Sequence, residues 1–244
     1  MKYLFWILWC LFFGVCKSQS VQLHYDFRHS VDKKRNSKNF TTLYFEYFKG
    51  ADSGSNLGSF LFKMQADFNG QMSNIGKVYT QVSHSFKFWK PRIFLQLEYS
   101  GGLGIAEPGS YGFYLTNAFS IGIGHPFQWK GAWLNAYSCY TFSNFKKSSH
   151  DVLFSFYWWK GLFNYKLEFS GDFSIYTRNK NQGDIYTVNE SGKRFSFFAE
   201  PQLWFNLRRK LSLGSKLNMY YHVLFTDNSF QVYPTVAVKY KVVG

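Results

Sequence analysis

The sequence predicts an all-β protein, a single transmembrane antiparallel up-and-down β-barrel of about 12 strands. Composition supplies the first observation: 46% of the 244 residues are hydrophobic and 23% aromatic, yet the mean hydropathy is −0.25. Apolar groups must therefore alternate with polar ones, as they do where one strand face meets lipid and the other a polar lumen. The second observation is a period of two. Between Val78 and Ile105, Ile93, Leu95, Leu97 and Tyr99 point one way while Phe94, Gln96, Glu98 and Ser100 point the other. The third is that short and long connectors alternate along the chain.

These observations exclude several classes. A soluble sandwich also alternates, but it hides its apolar face in one core and does not need an aromatic stripe on every strand. A bilayer admits only helices and closed barrels, and no stretch outside the N-terminus is apolar enough for a spanning helix. Residues 1–20 read as a secretory signal peptide, with Lys2 as its positive region, Tyr3 to Val15 as its apolar region and Ser18-Gln19-Ser20 as its cleavage site. Its apolar run is short of the ~20 residues of a membrane anchor. Lipid attachment at Cys16 is disfavoured by Phe13 and Val15. Residues 21–244 then form one barrel domain, because no Pro/Ser-rich or charged stretch separates two cores. Cys10 and Cys16 leave with the signal peptide, so Cys139 has no intrachain partner, and closure of the sheet must supply what disulfides otherwise would.

In the first strand Leu23, Tyr25 and Phe27 oppose Gln22, His24, Asp26 and Arg28. After the basic segment Ser30 to Lys38, strand two places Leu43, Phe45 and Tyr47 against Tyr44, Glu46 and Phe48. A Gly/Ser/Asp turn precedes strand three, where Phe60, Phe62, Met64 and Ala66 oppose Lys63, Gln65 and Asp67. Strands four and five are the Val78 to Ile105 pair around a Lys90-Pro91 break. Strand six runs from Tyr111 to about Gly124 and strand seven from Ala132 to Phe142. Strand eight carries Val152, Phe154, Phe156 and Trp158, and a Lys160-Gly161 turn leads to strand nine. There Phe163, Tyr165, Leu167, Phe169 and Phe173 oppose Asn164, Lys166, Glu168 and Asp172. Strand ten spans Phe195 to Phe205, eleven spans Leu211 to Tyr221, and twelve spans Phe230 to Val242. Pro201 and Pro234 each remove a ladder donor, which predicts bulges there. Asn117 falls on the outward face of strand six.

With Val21 on the periplasmic side, the longer connectors fall outside and the breaks at Lys90-Pro91 and Lys160-Gly161 inside, as in bacterial outer-membrane barrels. The net charge of +14 lies largely in loops, at Lys33, Lys34, Arg35, Lys38, Lys146, Lys147, Lys180, Lys193 and Arg194. That placement points to the phosphates of outer-membrane lipid and lipopolysaccharide as partners rather than to nucleic acid.

The inward set defines the candidate solute path: Asp26, Arg28, Tyr44, Glu46, Asp67, Phe94, Gln96, Glu98, Tyr114, Tyr137, Glu168, Asp172, Glu200 and Lys216. Mixed charges in a lumen stabilise cross-strand pairing, and with aromatic rings they also suit flat, hydroxyl-bearing solutes. Both readings stand at this point. Outer-membrane lipid-modifying enzymes use a His with a Ser two residues on, sharing one strand face. None of the six His residues has that partner, and their scatter matches no metal site, so no catalytic residue, metal or cofactor is expected. Two alternatives stand beside the channel: an outer-membrane lipid-modifying enzyme whose dyad is assembled from distant strands, and a barrel plugged by inward Phe48, Leu153, Trp159, Phe198 and Trp204.

The run Asn39-Phe40-Thr41-Thr42-Leu43-Tyr44-Phe45-Glu46-Tyr47-Phe48-Lys49, followed by a turn, an aromatic strand and the Val78 to Trp89 run, resembles the opening strands of a known family. These are the nucleoside-specific channel-forming proteins of the Tsx type and their exported barrel relatives. The resemblance implies a monomeric outer-membrane channel passing nucleosides, with Tyr44 and Glu46 as motif-matching lumen positions.

Overall fold

The computed structural model describes residues 19–50, 57–89, 93–106, 111–144, 147–185 and 187–243. The signal segment through residue 18, the Lys90-Pro91 break and residues 107–110 lie outside the described residues.

One 13-stranded antiparallel sheet forms the molecule. Its strands are β1 (Gln19–Asp26), β2 (Phe40–Lys49), β3 (Leu57–Asp67), β4 (Lys77–Trp89), β5 (Ile93–Ala106), β6 (Tyr111–Trp129) and β7 (Ala132–Ser143). They continue with β8 (Ser149–Leu162), β9 (Leu167–Asn179), β10 (Lys193–Ala199), β11 (Gln202–Asn206), β12 (Leu211–Tyr221) and β13 (Phe230–Val243). Apart from β10 and β11, which do not pair with each other, strands adjacent in sequence pair, and β1 pairs with β13, so the sheet closes on itself and leaves no edge. Both β10 and β11 pair with β9 and with β12, so they are two halves of one strand position in a barrel of twelve positions. A four-residue helix, α1 (Arg28–Val31), sits in the first connection.

The alternation fixes the faces. Leu43 is 39% exposed while Tyr44 beside it is 2% exposed, and Leu23 and Tyr25 face outward around a buried His24. The exposed belt of Leu97, Ile121, Ile123, Phe154, Phe169 and Val238 is what lipid solvates, whereas the buried set is dominated by polar side chains. That distribution is the inverse of a soluble core.

Where the chain departs from the predicted elements, local chemistry explains it. Pro201 separates β10 from β11 without an inserted residue: Ala199 pairs with Phe173 and Gln202 with Ser170, three steps apart on both strands. Pro234 likewise sits in β13 without a register shift, and the Thr235 hydroxyl accepts from the Lys216 N–H at 3.1 Å beside it. Neither predicted bulge forms, because each proline costs ladder bonds but no residue.

Register shifts fall elsewhere, at Gln19/Ser20, Leu57/Phe60 and Lys87/Trp89, and the one that bears on the lumen is a bulge in β6. Gly102 pairs with Thr116 and Leu103 with Tyr114, leaving Leu115 as the extra residue. It reverses the face of everything before it, so Tyr114 lies outward, 61% exposed beside outward Leu103. Tyr114 is therefore no lumen residue. Asn117 does face outward, and its side-chain oxygen accepts from the Tyr99 hydroxyl at 3.3 Å.

Two turns also differ. β6 runs on to Trp129 and reverses at Lys130-Gly131, where φ values of 47° and 76° make a type I′ hairpin turn. β8 passes through Lys160-Gly161 to Leu162, and the reversal occupies residues 163–166. Phe163, Asn164 and Tyr165 all adopt positive φ there, so Phe163 and Tyr165 belong to the turn and not to strand nine. Gly161 makes this possible: a Cβ on it would meet the Tyr165 ring at 2.3 Å, and that ring stacks on Trp159.

The strand ends between β1 and β2, β3 and β4, β5 and β6, β7 and β8, β9 and β10, and β12 and β13 share one end, and those between β2 and β3, β4 and β5, β6 and β7, β8 and β9, and β11 and β12 share the other with both ends of the sheet. We refer to these as the long-loop and short-turn ends.

Candidate functional site

Interior side chains are sorted by height, because each strand contributes every second residue to the lumen. Nearest the short-turn end, Glu168 of β9 accepts from Lys239 at 2.7 Å and from Lys241 at 3.0 Å, both on β13. Phe48 packs edge-on against Trp133 at 5.0 Å between centroids. Above them lies Trp204, with no exposed surface; its indole N–H donates to Gln202, and the Lys239 ammonium sits 4.5 Å over its ring. His24 packs edge-on to Trp204 and bonds Thr235 and Gln22.

At mid-barrel a charged bar crosses the lumen. Lys63 of β3 donates to Asp172 of β9 at 2.8 Å and to Glu200 at 2.9 Å, and Lys216 of β12 donates to Glu200 at 2.8 Å. β3 and β9 lie six positions apart around the twelve-position barrel, so Lys63 joins opposite walls. Two cations balance two carboxylates, with side-chain exposures of only 3–6%. The two ammonium groups also cap rings, Lys63 over Tyr157 at 5.1 Å and Lys216 over Tyr44 at 5.0 Å.

This bar forms the floor of a cavity of about 300 Å³ that reaches up to Val223 and Leu224 at the long-loop end. Of the predicted path residues, Arg28, Tyr44, Asp67, Glu98, Asp172 and Glu200 line it. Glu98 accepts from the Tyr137 hydroxyl at 2.8 Å and from Ser100 at 3.3 Å, while Asp67 accepts from Thr42 and Gln65. Arg28 is committed to Asp26 through both guanidinium and backbone N–H, and packs over Phe40. Glu46 accepts from the Tyr44 hydroxyl at 3.0 Å. Phe94 and Gln96 are buried among the short-turn-side residues, and Tyr114 lies outside the barrel.

Residues outside the predicted path also line the cavity: Tyr79 and Thr141, which the alternation puts on the polar faces of strands four and seven, and Lys77, Asp151, Tyr176, Thr177 and Tyr220. Asp151 was legible in principle. Extending the alternation of Val152, Phe154 and Phe156 back by one residue places it inward, but the preceding basic segment obscured where β8 begins.

A closed sheet with a lipid-facing apolar belt, a polar interior and a half-open lumen is a transmembrane β-barrel of the outer-membrane type. The chain belongs to the family described as a domain of unknown function, DUF5020, which matches residues 18–242. No curated protein sequence matches the chain. Among solved structures the NanC porin superposes with a TM-score of 0.55 at 10% identity, covering 92% of this chain and 100% of that one. LpxR from Salmonella typhimurium gives 0.47 at 9% identity over 92% and 99%, and the KdgM porin in complex with disordered oligogalacturonate gives 0.46 at 8% over 91% and 98%. Likeness at such identities is a likeness of fold.

Proposed function

We propose that this protein is an outer-membrane channel for passive diffusion of small neutral solutes, nucleosides foremost, entering from the long-loop end. The observation that carries the reading is the cavity of about 300 Å³ inside the barrel, at the lower end of the size range of small-molecule sites. Its wall combines the rings of Tyr44, Tyr79, Tyr176 and Phe198 with the acceptors Asp67 and Glu98. Rings suit a flat base, and carboxylates suit hydroxyl and amino donors. The resemblance of the Asn39 to Lys49 strand to nucleoside channels supports the same solute class. In this reading the segment before Gln19 is removed on export, two residues short of the 1–20 expected from the sequence because Gln19 and Ser20 pair with β2 and β13, and basic long-loop residues such as Lys33, Lys34 and Lys180 meet lipopolysaccharide phosphates.

A plugged barrel is the second reading, favoured by the charged bar and by the complete burial of Trp204. Liposome swelling with adenosine, uridine and a hexose of similar size separates them. Faster swelling with nucleosides supports the channel, equal rates sink nucleoside selectivity, and no swelling with any solute leaves the plugged barrel. Glu98→Gln should slow nucleoside flux while preserving the heat-modifiable gel shift of the folded barrel.

A further inference from the structure

Asp151 of β8 stands at the upper wall of the cavity, 3% exposed, and is accounted for on one side only. Its Oδ1 accepts from Lys193 Nζ at 2.7 Å and from the Thr177 hydroxyl at 3.2 Å. Its Oδ2 is buried and has no hydrogen-bond partner among the described residues. An ionised carboxylate has about four acceptor positions, so a buried oxygen with none filled is an open valence in the wall.

The surroundings specify what fills it. Lys193 already balances the charge, so the missing partner is a neutral donor rather than a second cation. Thr141, the cross-strand partner of Asp151, shares a hydrogen bond of 2.8 Å with Ser120, and both hydroxyls line the cavity with Ser143 and Thr177. Two hydroxyls in one shared bond leave one hydrogen uncommitted. The wall thus holds a buried, unfilled carboxylate oxygen beside a hydroxyl that can both give and take.

We propose that Asp151, Thr141 and Thr177 form a hydroxyl-recognition subsite for a neutral polyol, taking the vicinal diol of a sugar ring; the proposal deepens the nucleoside-channel reading and rests on it. One diol hydroxyl donates to Asp151 Oδ2 and its neighbour exchanges a bond with Thr141. The base then lies toward the tyrosine-lined lower cavity.

Equilibrium binding to the purified, detergent-folded barrel, by titration calorimetry, tests the subsite independently of flux. The probes are uridine, 2′,3′-dideoxyuridine and glucose. The expected result is at least tenfold tighter binding of uridine than of its dideoxy analogue, with the ratio collapsing toward one in Asp151→Asn. Thr141→Val, which leaves the Lys193 pair intact, should lower the ratio without altering the gel shift, so the test survives if the Asp151 variant fails to fold. Equal affinities for the two nucleosides, or an unchanged ratio in both variants, overturn the subsite even if nucleosides cross the membrane. Ratio-dependent binding without swelling overturns the channel and leaves the subsite standing. Glucose bound as tightly as uridine, with the same variant dependence, supports the subsite and assigns it to free sugars.

Discussion

Replacing Lys63 by Met tests whether the mid-barrel bar holds the structure together. The substitution keeps an unbranched side chain one atom shorter and removes the cation between Asp172 and Glu200, at 2.8 and 2.9 Å, where all three side chains are at most 6% exposed. Lys216 keeps its own bond to Glu200 at 2.8 Å, so the loss falls on Asp172, whose one cation partner among the described residues is Lys63. At an effective dielectric of about 20, unit charges 2.8 Å apart attract by about 6 kcal/mol, most of it offset by the desolvation of both groups. Removing one partner is costlier than the net worth of the pair, because the other charge stays buried. A loss of roughly 3 kcal/mol is expected, at the lower end of the range for broken buried pairs. Urea-dependent folding into lipid vesicles, followed by tryptophan fluorescence and gel shift, measures it. The double variant Lys63→Met with Asp172→Asn should recover at least about half of the loss, since no uncompensated charge remains. A single variant within about 0.5 kcal/mol of the parent, or a double variant no more stable than the single, refutes the reasoning.

Other perturbations follow from the same geometry. Gly122→Ala should impair folding by roughly 1–3 kcal/mol, since a Cβ there meets the Ser138 carbonyl oxygen at 2.0 Å, whereas Gly112→Ala, with only an oxygen at 4.0 Å, should be tolerated; the folded fraction by gel shift compares them. Tyr137→Phe removes a 2.8 Å bond to the buried Glu98 carboxylate and should cost roughly 1.5–3 kcal/mol in the same urea assay. At the long-loop end the Ser229 hydroxyl, and then the Arg35 guanidinium, hold the Asp227 carboxyl below its ordinary value of 3.8. A depressed carboxyl stabilises above its ordinary value and loses that contribution as pH falls through the lowered one. The contact between connections 27–39 and 222–229 should therefore persist at pH 5 and open below pH 3.8, which paired spin labels on the two loops would read as a growing distance.

Most of the barrel was readable from the residues, and the misreadings are instructive. The β4–β5 faces came out as the alternation assigns them, with Gln81, Ser83, Gln96 and Glu98 inward. Tyr114 failed because one extra residue, Leu115, inverts parity, and nothing in a string of alternating residues marks which one stands outside the ladder. The reversal at residues 163–166 was masked because Phe163 and Tyr165 continue the apolar stripe into a turn held by positive φ. Lys160-Gly161 looked like the turn, yet its glycine serves as the seat of the Tyr165 ring.

The amino-acid sequence by itself determined the closed, lipid-facing barrel, the twelve strand positions and the face of nearly every side chain. A two-residue period is a property of the pleat, and it needs no knowledge of where the strand goes. Only the tertiary structure decided that Lys63 meets Asp172 across the lumen, that Trp204 and Glu168 fill the short-turn half, and that the long-loop half stays open above them. Those contacts depend on the summed register of every strand pair around the closed sheet, and a shift in any one of them would move which charges share a level. Asp151, with one oxygen bonded and the other buried without a partner among the described residues, belongs to that second kind of fact.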